Sequence, residues 1–443
     1  MKQFLKNTYL EFRFFAIIIG LVALYILAYI FPGLLVITQM LFFVFLGLML
    51  FDFILLFRQK GIDASRVLPE KLSNGDDNPI EITISNNYNF KAQLKLIDEM
   101  PFQYQKRDFE INTPLDKHEQ KKITYTLRPL ERGEYYFGNL NIYASSPLGL
   151  VTRRFQFSKD AMVPNYPSFL QLRKYMLLAF TNKIFEYGLK KIRRIGHTME
   201  FEQIKDYVIG DDMRNVNWKA TAKTNKLMVN QYQDERSQPI YSVIDKGRTM
   251  KMPFEGLSLL DYAINATLVI SNVALKKQDK AGMFTFSRKV DNKVVAERRP
   301  SQMSQILETL YNVNTDFAES DFSRLYVDIK RSLNQRSLLL LYTNFETLDA
   351  LHSQLPYLKA IAKNHLLIVI FFENTELEGL TKKVAVNTFD IFEKTIAEKF
   401  IYEKKLIVKE LQKHGIQTIL TTPENLTINT INKYLEIKAR GLI

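Results

Sequence analysis

Two long apolar runs open the chain. The first spans residues 14–31 and reads FFAIIIGLVALYILAYIF, and the second spans residues 34–57 and reads LLVITQMLFFVFLGLMLFDFILLF. A helix needs roughly 20 apolar residues to cross the bilayer core, and both runs are about that long. Because a cleavable signal peptide has a shorter apolar segment, the pattern predicts a two-helix transmembrane hairpin over residues 1–60 that turns at Pro32-Gly33.

Basic residues at both ends of the hairpin predict its orientation. Cytoplasmic flanks of membrane helices carry an excess of Lys and Arg, so we expect an inner-membrane, multi-pass protein with both termini and all soluble domains in the cytoplasm. Asp52 falls within the second span, where acids are often functional. It lies close enough to the predicted cytoplasmic edge to reach the membrane interface, and this is the favoured interpretation. The basic residues are Lys2, Lys6 and Arg13 before the hairpin and Arg58, Lys60 and Arg66 after it.

Short segments of alternating apolar and polar residues follow the hairpin. Turn clusters such as residues 73–77 and 132–134 separate them. This spacing is typical of an antiparallel β-sandwich of immunoglobulin-like size, predicted over residues 61–165. A partner-binding domain and a rigid spacer are both open interpretations. The alternating segments are residues 80–84, 92–96, 122–127, 135–137 and 140–143.

Two further segments complete the predicted organisation. Residues 166–236 form a predicted connector and a charged segment, and the basic stretch 170–192 within it is either a solvated helix face or a lipid-contacting helix. From residue 237 onward, buried-type strands such as residues 239–245 alternate with helices. That alternation is typical of a doubly wound α/β domain, predicted over residues 237–443.

Composition and charge narrow the classes of partner. The net charge is +13, from 60 Lys and Arg against 47 Asp and Glu, and it is spread along the chain. Such a balance favours anionic membrane surfaces or nucleic acid. Because no nucleic-acid-binding module is visible, we expect a lipid membrane and no nucleic acid. The absence of cysteine excludes disulfides, thiol nucleophiles and cysteine-ligated metals.

One charged segment, residues 193–236, carries the chain's only tryptophan and a long motif. The motif residues are Glu200, Phe201, Tyr207, Gly210, Asp211, Asp212, Arg214, Asn217, Trp218 and Lys219. This pattern resembles the signature of the bacterial family called domain of unknown function 58 (DUF58), with Lys205 at a position where the family usually has Arg. The resemblance implies a setting beside MoxR-type AAA+ ATPases, and assembly or chaperone-like work with them.

The same residues predict how the signature folds. Asp211 or Asp212 is expected to cap the following helix, because Asp after a glycine turn is a preferred N-cap. Arg214 is expected to pair with an acid such as Glu200, and Trp218 to be buried beside it. A structural role is therefore the favoured interpretation of the signature, ahead of a partner-docking surface and of catalysis.

A degenerate metal site is the main candidate for metal-dependent ligand binding or catalysis. The strand pair after the first helix of the α/β region resembles a von Willebrand factor A-type domain, which implies a divalent metal at the carboxyl ends of the strands. Asp245, Thr249 and Thr315 correspond to that pattern, whereas Gly247 lacks a hydroxyl and Asn344 stands where a carboxylate is usual. Since Mg²⁺ favours carboxylate oxygens, the losses predict weak binding at best.

No other motif indicates catalysis. The chain has no phosphate-binding loop, Rossmann fingerprint or nucleophile elbow, and its histidines are scattered. We therefore expect no cofactor and no enzymatic activity. The favoured hypothesis is a membrane-anchored interaction or scaffold protein that assists a MoxR-type AAA+ ATPase and other membrane-associated proteins. The alternative is a metal-dependent ligand binder or enzyme that uses the site at Asp245.

Overall fold

The computed structural model describes residues 6–106, 108–157, 160–169, 200–209, 211–233, 237–254, 256–315, 317–382 and 387–442. Its backbone contacts divide the chain into two compact units, Met1–Tyr166 and Pro167–Ile443. The basic stretch predicted at residues 170–192 lies outside the described residues.

Two apolar helices begin the first unit, as predicted. Helix α1 spans Phe12–Ile30 and helix α2 spans Leu35–Phe57, with a 3-10 turn at Pro32–Leu34 between them. Both are long and apolar enough to cross a membrane, and few of their residues are buried within the structure. A short strand that the sequence pattern did not reveal, β1 at Thr8–Leu10, precedes the first helix.

The rest of the first unit consists of strands. They form sheets in the orders β1-β10-β9-β5-β6, β2-β4-β7 and β3-β11-β8. Pairing is antiparallel except between β3 and β11, a short parallel contact that departs from the predicted all-antiparallel sandwich. Alternate residues of β4 are buried, as period-2 patterning requires. The strands are β2 Ile62–Val67, β3 Leu72–Ser73, β4 Asn78–Asn86, β5 Ala92–Asp98, β6 Glu110–Leu115, β7 Gln120–Leu127, β8 Gly133–Phe137, β9 Leu140–Ser145, β10 Val151–Phe157 and β11 Ala161–Tyr166.

The signature segment forms a small hairpin at the start of the second unit. Strand β12 spans Glu200–Asp206 and pairs antiparallel with strand β13, Met228–Gln233. Between them lie a 3-10 turn at Met213–Asn215 and helix α3 at Trp218–Thr224. The hairpin therefore brings the described residues of the motif into one local structure.

The remainder of the second unit is an α/β sheet in the order β18-β17-β14-β19-β20-β21. Strand β18 is antiparallel to β17 at one edge, and the other pairings are parallel. Along β14, Ile240 and Ile244 belong to one apolar core, whereas Tyr241 and Val243 belong to another. The sheet is thus covered on both faces, as its near-continuous apolar strands require.

These elements follow the predicted alternation of strand and helix, with an added helix α8. A capping box between Ser258 and Asp261 starts helix α4. The strands are β14 Pro239–Asp245, β15 Pro253–Phe254, β16 Leu257–Ser258, β17 Lys280–Phe286, β18 Val290–Glu297, β19 Leu338–Tyr342, β20 Leu366–Phe372 and β21 Gln417–Thr421. The helices are α4 Leu259–Lys276, α5 Gln302–Tyr311, α6 Phe322–Ser332, α7 Leu348–Asn364, α8 Thr375–Lys382, α9 Thr388–Lys413 and α10 Leu426–Arg440.

Candidate functional site

The carboxyl end of β14 is the point where the strand order reverses. In the sheet, β17 lies on one side of β14, and β19, which comes later in the chain, lies on the other side. Ligands of open α/β sheets bind in the crevice at such a switch point. Asp245, the last residue of β14, lies there with 2% of its surface exposed.

The Asp245 carboxylate is held by donors from three loops. Its Oδ1 accepts hydrogen bonds from the Gly247 backbone N–H, at 2.8 Å, and from the Ser320 hydroxyl. Its Oδ2 accepts from the Thr343 hydroxyl at 2.7 Å. A Cβ at position 247 would lie 2.2 Å from the Ser320 Oγ, so the glycine is required by this close approach.

Two other predicted metal ligands, Thr315 and Asn344, have hydrogen-bond partners other than Asp245. The Thr315 hydroxyl accepts from the Phe317 N–H at 3.3 Å, and the hydroxyls that reach Asp245 belong to Ser320 and Thr343. Thr249 is half-buried in the 3-10 turn that follows Gly247. Asn344 directs its Oδ1 to the Lys404 ammonium. The pattern missed Ser320 because its approach to Asp245 depends on the path of a long connection.

These donors fit a resident Mg²⁺ poorly. The hydrogen bonds described at Asp245 bring one carboxylate and two hydroxyls together, and the described parts of the chain contain no group of three His, Cys, Asp or Glu side chains arranged for a metal. Mg²⁺ prefers near-octahedral oxygen coordination that includes one or two carboxylates. Asn344, the residue that replaces the second carboxylate, is bonded to a cation of the protein. We therefore assign no step to a metal here.

A large cavity opens beside this cluster, at the carboxyl ends of β19, β20 and β21. Its volume is about 1060 Å³, and helices α8 and α9 form its other walls. Burial lowers the pKa of Lys404, in its wall, from 10.5 to about 8, while Glu346 opposes that effect. Its lining includes Met252, Phe254, Asn344, Glu346, Phe372, Glu373, Leu377, Glu398, Phe400, Ile401, Lys404, Lys405 and Leu420.

Polar side chains hold the turns of the signature hairpin. Asp211 accepts from the Lys205 ammonium at 2.8 Å and from the Val208 N–H at 3.0 Å. The hydrogen bond from Lys205 is the main reason that the pKa of Asp211 lies below its usual value. Asp212 caps the 3-10 turn by accepting from the Arg214 N–H at 3.0 Å. Asp212 thus caps the turn that precedes the helix and not the helix itself, and Lys205 forms an ion pair with Asp211 at the position where the family usually has Arg.

A different residue caps helix α3. The Asn217 Oδ1 accepts from the Ala220 N–H at 3.0 Å, and its Nδ2 donates to the Asn230 Oδ1 at 2.8 Å. Asn217 therefore ties the start of the helix to strand β13. The Tyr207 backbone N–H donates to the Leu227 carbonyl at 2.8 Å and closes the other end of the hairpin.

The expectation that Trp218 is buried is wrong. Its side chain is 68% exposed, and Val208, Ile209 and Met213 are 60%, 96% and 60% exposed. Arg214 is exposed as well, and its predicted ion pair with an acid such as Glu200 falls on a side chain outside the described residues. Lys219 is exposed, Gly210 lies outside the described residues, and the side chains of Glu200 and Phe201 on β12 are likewise not described.

Asp52 forms a structural tie between the helix pair and the sandwich. It is fully buried, and its Oδ2 accepts from the Leu150 N–H at 3.1 Å and the Val151 N–H at 3.0 Å. Arg153 donates to the Leu56 carbonyl at 2.6 Å and to the Gln59 carbonyl at 2.8 Å. The sequence interpretation had the Asp52 carboxylate reach the membrane interface, whereas the structure buries it against the sandwich.

Comparisons with known proteins support the family resemblance. Residues 203–387 match the model of the family described as "Protein of unknown function DUF58". The uncharacterized protein YeaD of Bacillus subtilis is 22% identical over 166 residues, which are 38% of this chain and 39% of YeaD. The chain thus matches less than half the length of that relative.

Solved structures match a quarter of the chain at low similarity. The PapD-like domain 7 of human CEP192 is 14% identical, with a TM-score of 0.19, and the match covers 24% of this chain and 84% of that domain. The CARDB domain of PF1109 from Pyrococcus furiosus is 11% identical, with a TM-score of 0.17, and the match covers 24% of this chain and 90% of that domain. At these scores the likenesses carry no argument about function.

Proposed function

We propose that this protein is a membrane-anchored, non-enzymatic interaction protein whose signature hairpin docks a partner protein. The observation that carries the proposal is the exposed apolar group on that hairpin, formed by Val208, Ile209, Met213 and Trp218. These four side chains lie within residues 208–218 and leave a large apolar surface in solvent, which is typical of interaction sites, and Trp is enriched among residues that dominate binding energy. The family resemblance makes a MoxR-type AAA+ ATPase the expected partner.

The hairpin is suited to this role because its shape does not depend on the apolar group. Asp211, Asp212 and Asn217 satisfy backbone N–H groups in its turns. Its exposed basic residues would also speed the encounter with an acidic partner surface. A preformed surface loses little conformational freedom on binding, which favours affinity. The basic residues are Arg214, Lys219, Lys223 and Lys226.

Anchoring is supported by how both ends of the helix pair join the sandwich. Strand β1, before helix α1, pairs with β10, and Asp52, near the end of α2, bonds backbone N–H groups at the start of β10. Both ends of the pair therefore emerge on the same side of any membrane that it crosses. The Lys and Arg flanks favour the cytoplasmic side of the inner membrane for that face.

The α/β unit is proposed to be related to von Willebrand factor A-type domains. Three features support this relation: the antiparallel edge strand β18, the strand pair that follows helix α4, and Asp245 at the end of the first strand. Because the donor set around Asp245 fits Mg²⁺ poorly, the proposed interaction does not require a metal.

A crosslinked pull-down of the full-length protein from native membranes tests the docking proposal. We expect an AAA+ ATPase with the wild type, its loss with Trp218→Ala, and its retention with Phe102→Ala. Phe102 is a matched control because it is an aromatic residue that is 81% exposed in the other unit. Equal capture by all three proteins would refute docking through the hairpin, and absence of the ATPase from every sample would refute the partner.

The absence of cysteine allows a direct test of the proposed topology. A single Gly33→Cys variant places a thiol at the turn between the helices, and Lys60→Cys places one after them. We expect an impermeant maleimide to label the Gly33→Cys variant in intact cells and the Lys60→Cys variant only after lysis. The reverse pattern would place the soluble units outside the cytoplasm, and equal labelling would refute a membrane-crossing hairpin.

A further inference from the structure

We propose that the cavity between β19, β20, β21 and helices α8 and α9 binds a small apolar carboxylate, with the Lys404 ammonium as the partner of its single negative charge. This binding site is separate from the signature hairpin and goes beyond the proposed docking function. Its position at the carboxyl edge of the parallel strands is where open α/β sheets bind ligands.

The size and lining of the cavity indicate the body of the ligand. Its volume of about 1060 Å³ is at the upper end of the range for small-molecule pockets. Aromatic and aliphatic side chains cover most of the wall, and such walls favour an apolar body because burial removes its surface from water. They include Phe254, Phe372, Leu377, Phe400, Ile401 and Leu420.

Lys404 provides a cation with hydrogen-bonding capacity inside that wall. An ammonium group can donate three hydrogen bonds. Within the described structure the Lys404 Nζ donates one, to the Asn344 Oδ1, and it lies 5.8 Å from the centre of the Phe371 ring. A ligand carboxylate would accept the remaining donors, and a charge-assisted hydrogen bond in an enclosed site is roughly twice as strong as a neutral one.

Exposed acids at the rim limit the charge of the ligand. Glu346, Glu373 and Glu398 border the cavity and are exposed, so solvent and salt screen them. Lys404 is largely enclosed and acts on a bound group with less screening. A ligand with several negative charges would meet the rim acids, which disfavours phosphates and nucleotides, whereas one carboxylate can reach Lys404 and leave its apolar body against the walls.

Three probes that differ only in their head group test the proposal. We would titrate phenylbutyrate, phenylbutanol and phenylbutylamine into the full-length protein in lipid nanodiscs by calorimetry, with empty nanodiscs as the blank. We expect the carboxylate to bind most tightly and the amine least tightly. Equal affinities would indicate unspecific apolar binding and refute the proposal. Tightest binding of the amine would also refute it, because the rim acids would then select the ligand instead of Lys404.

Two lysine variants locate the charge that is recognised. Lys404→Met should weaken phenylbutyrate binding by roughly tenfold or more and leave phenylbutanol unchanged, because it removes a charged hydrogen bond and keeps the apolar volume. Lys405→Met is the matched control, since Lys405 borders the same cavity but is exposed. An equal effect of both variants, or of neither, would refute the assignment of Lys404.

A measurement on the wild-type protein covers the case in which Lys404→Met misfolds. Acetic anhydride labels unprotonated amines, and mass spectrometry reports labelling at each lysine. Phenylbutyrate should slow labelling of Lys404 but not of Lys405. Because burial lowers the pKa of Lys404 to about 8, the affinity for phenylbutyrate should also fall as the pH rises above that value. Unchanged labelling of Lys404 at a saturating probe concentration would overturn the proposal.

Discussion

Substitution of Asp52 tests whether an acid in an apolar helix acts as a structural tie. The Asp52 side chain is fully buried, and it accepts hydrogen bonds from the backbone N–H groups of Leu150 and Val151. In Asp52→Ala both donors lose their partner while they remain buried. Each unsatisfied group costs about 1–3 kcal/mol, so we expect the free energy of unfolding to fall by about 2–6 kcal/mol.

Asp52→Asn separates charge from hydrogen bonding. The amide oxygen of the variant can still accept from both N–H groups, but without a full negative charge. Since charge-assisted hydrogen bonds are about twice as strong as neutral ones, we expect a smaller loss of about 1–2 kcal/mol. Asp63→Ala is the control, because Asp63 pairs with Lys60 on the surface, where such pairs contribute at most about 1 kcal/mol.

Thermal and urea unfolding of the full-length protein in nanodiscs would measure these differences. From the most to the least stable, we expect the order wild type, Asp63→Ala, Asp52→Asn and Asp52→Ala. If Asp52→Ala unfolds at the same urea concentration as Asp63→Ala, the two hydrogen bonds do not stabilise the first unit and the structural interpretation of Asp52 is refuted.

Three other perturbations probe the second unit. Trp218→Ala should change the unfolding free energy by less than about 0.5 kcal/mol, because the side chain is exposed. Val229→Ala should cost about 1–2 kcal/mol in urea unfolding, because Val229 on strand β13 is buried. Asp279→Asn should lower the free energy of unfolding by about 2–4 kcal/mol in the same assay. This buried carboxylate accepts from the Tyr434 hydroxyl at 2.5 Å and is ion-paired with Lys438. Unchanged stability would contradict this role of the carboxylate. Burial lowers the folded-state pKa of Lys404 from 10.5 to about 8. Below pH 8 the lysine is charged in both states, and the folded state bears the full cost of burying the charge. As the pH rises from 8 towards 10.5 the folded state releases the proton first, which relieves that cost. Wild type should therefore gain stability over Lys404→Met across that pH window, and parallel pH profiles would contradict the burial of the ammonium.

The burial of Trp218 was predicted from its type, and that reasoning has a physical limit. A single large aromatic residue amid mixed charges usually fills a small core. Here, hydrogen bonds of Asp211, Asp212 and Asn217 satisfy the turns, so the hairpin keeps its shape with the aromatic ring in solvent. A local sequence pattern does not show whether an apolar side chain meets its own protein or a partner.

Local patterning determined the elements of this protein, whereas tertiary structure decided the contacts of its functional residues. Long apolar runs predicted the helix pair, apolar residues at every second position predicted the strand-rich region, and apolar strands alternating with helices predicted the α/β order. These patterns are informative because burial of a helix or strand face requires a matching period of apolar residues. The partners of Asp52 are 98 and 99 residues away, and Ser320 reaches Asp245 across 75 residues. Such contacts depend on how sheets and loops bring distant segments together, so only the folded chain reveals them. The same holds for the cavity at Lys404, whose walls come from several strands and helices that meet only in the folded α/β unit.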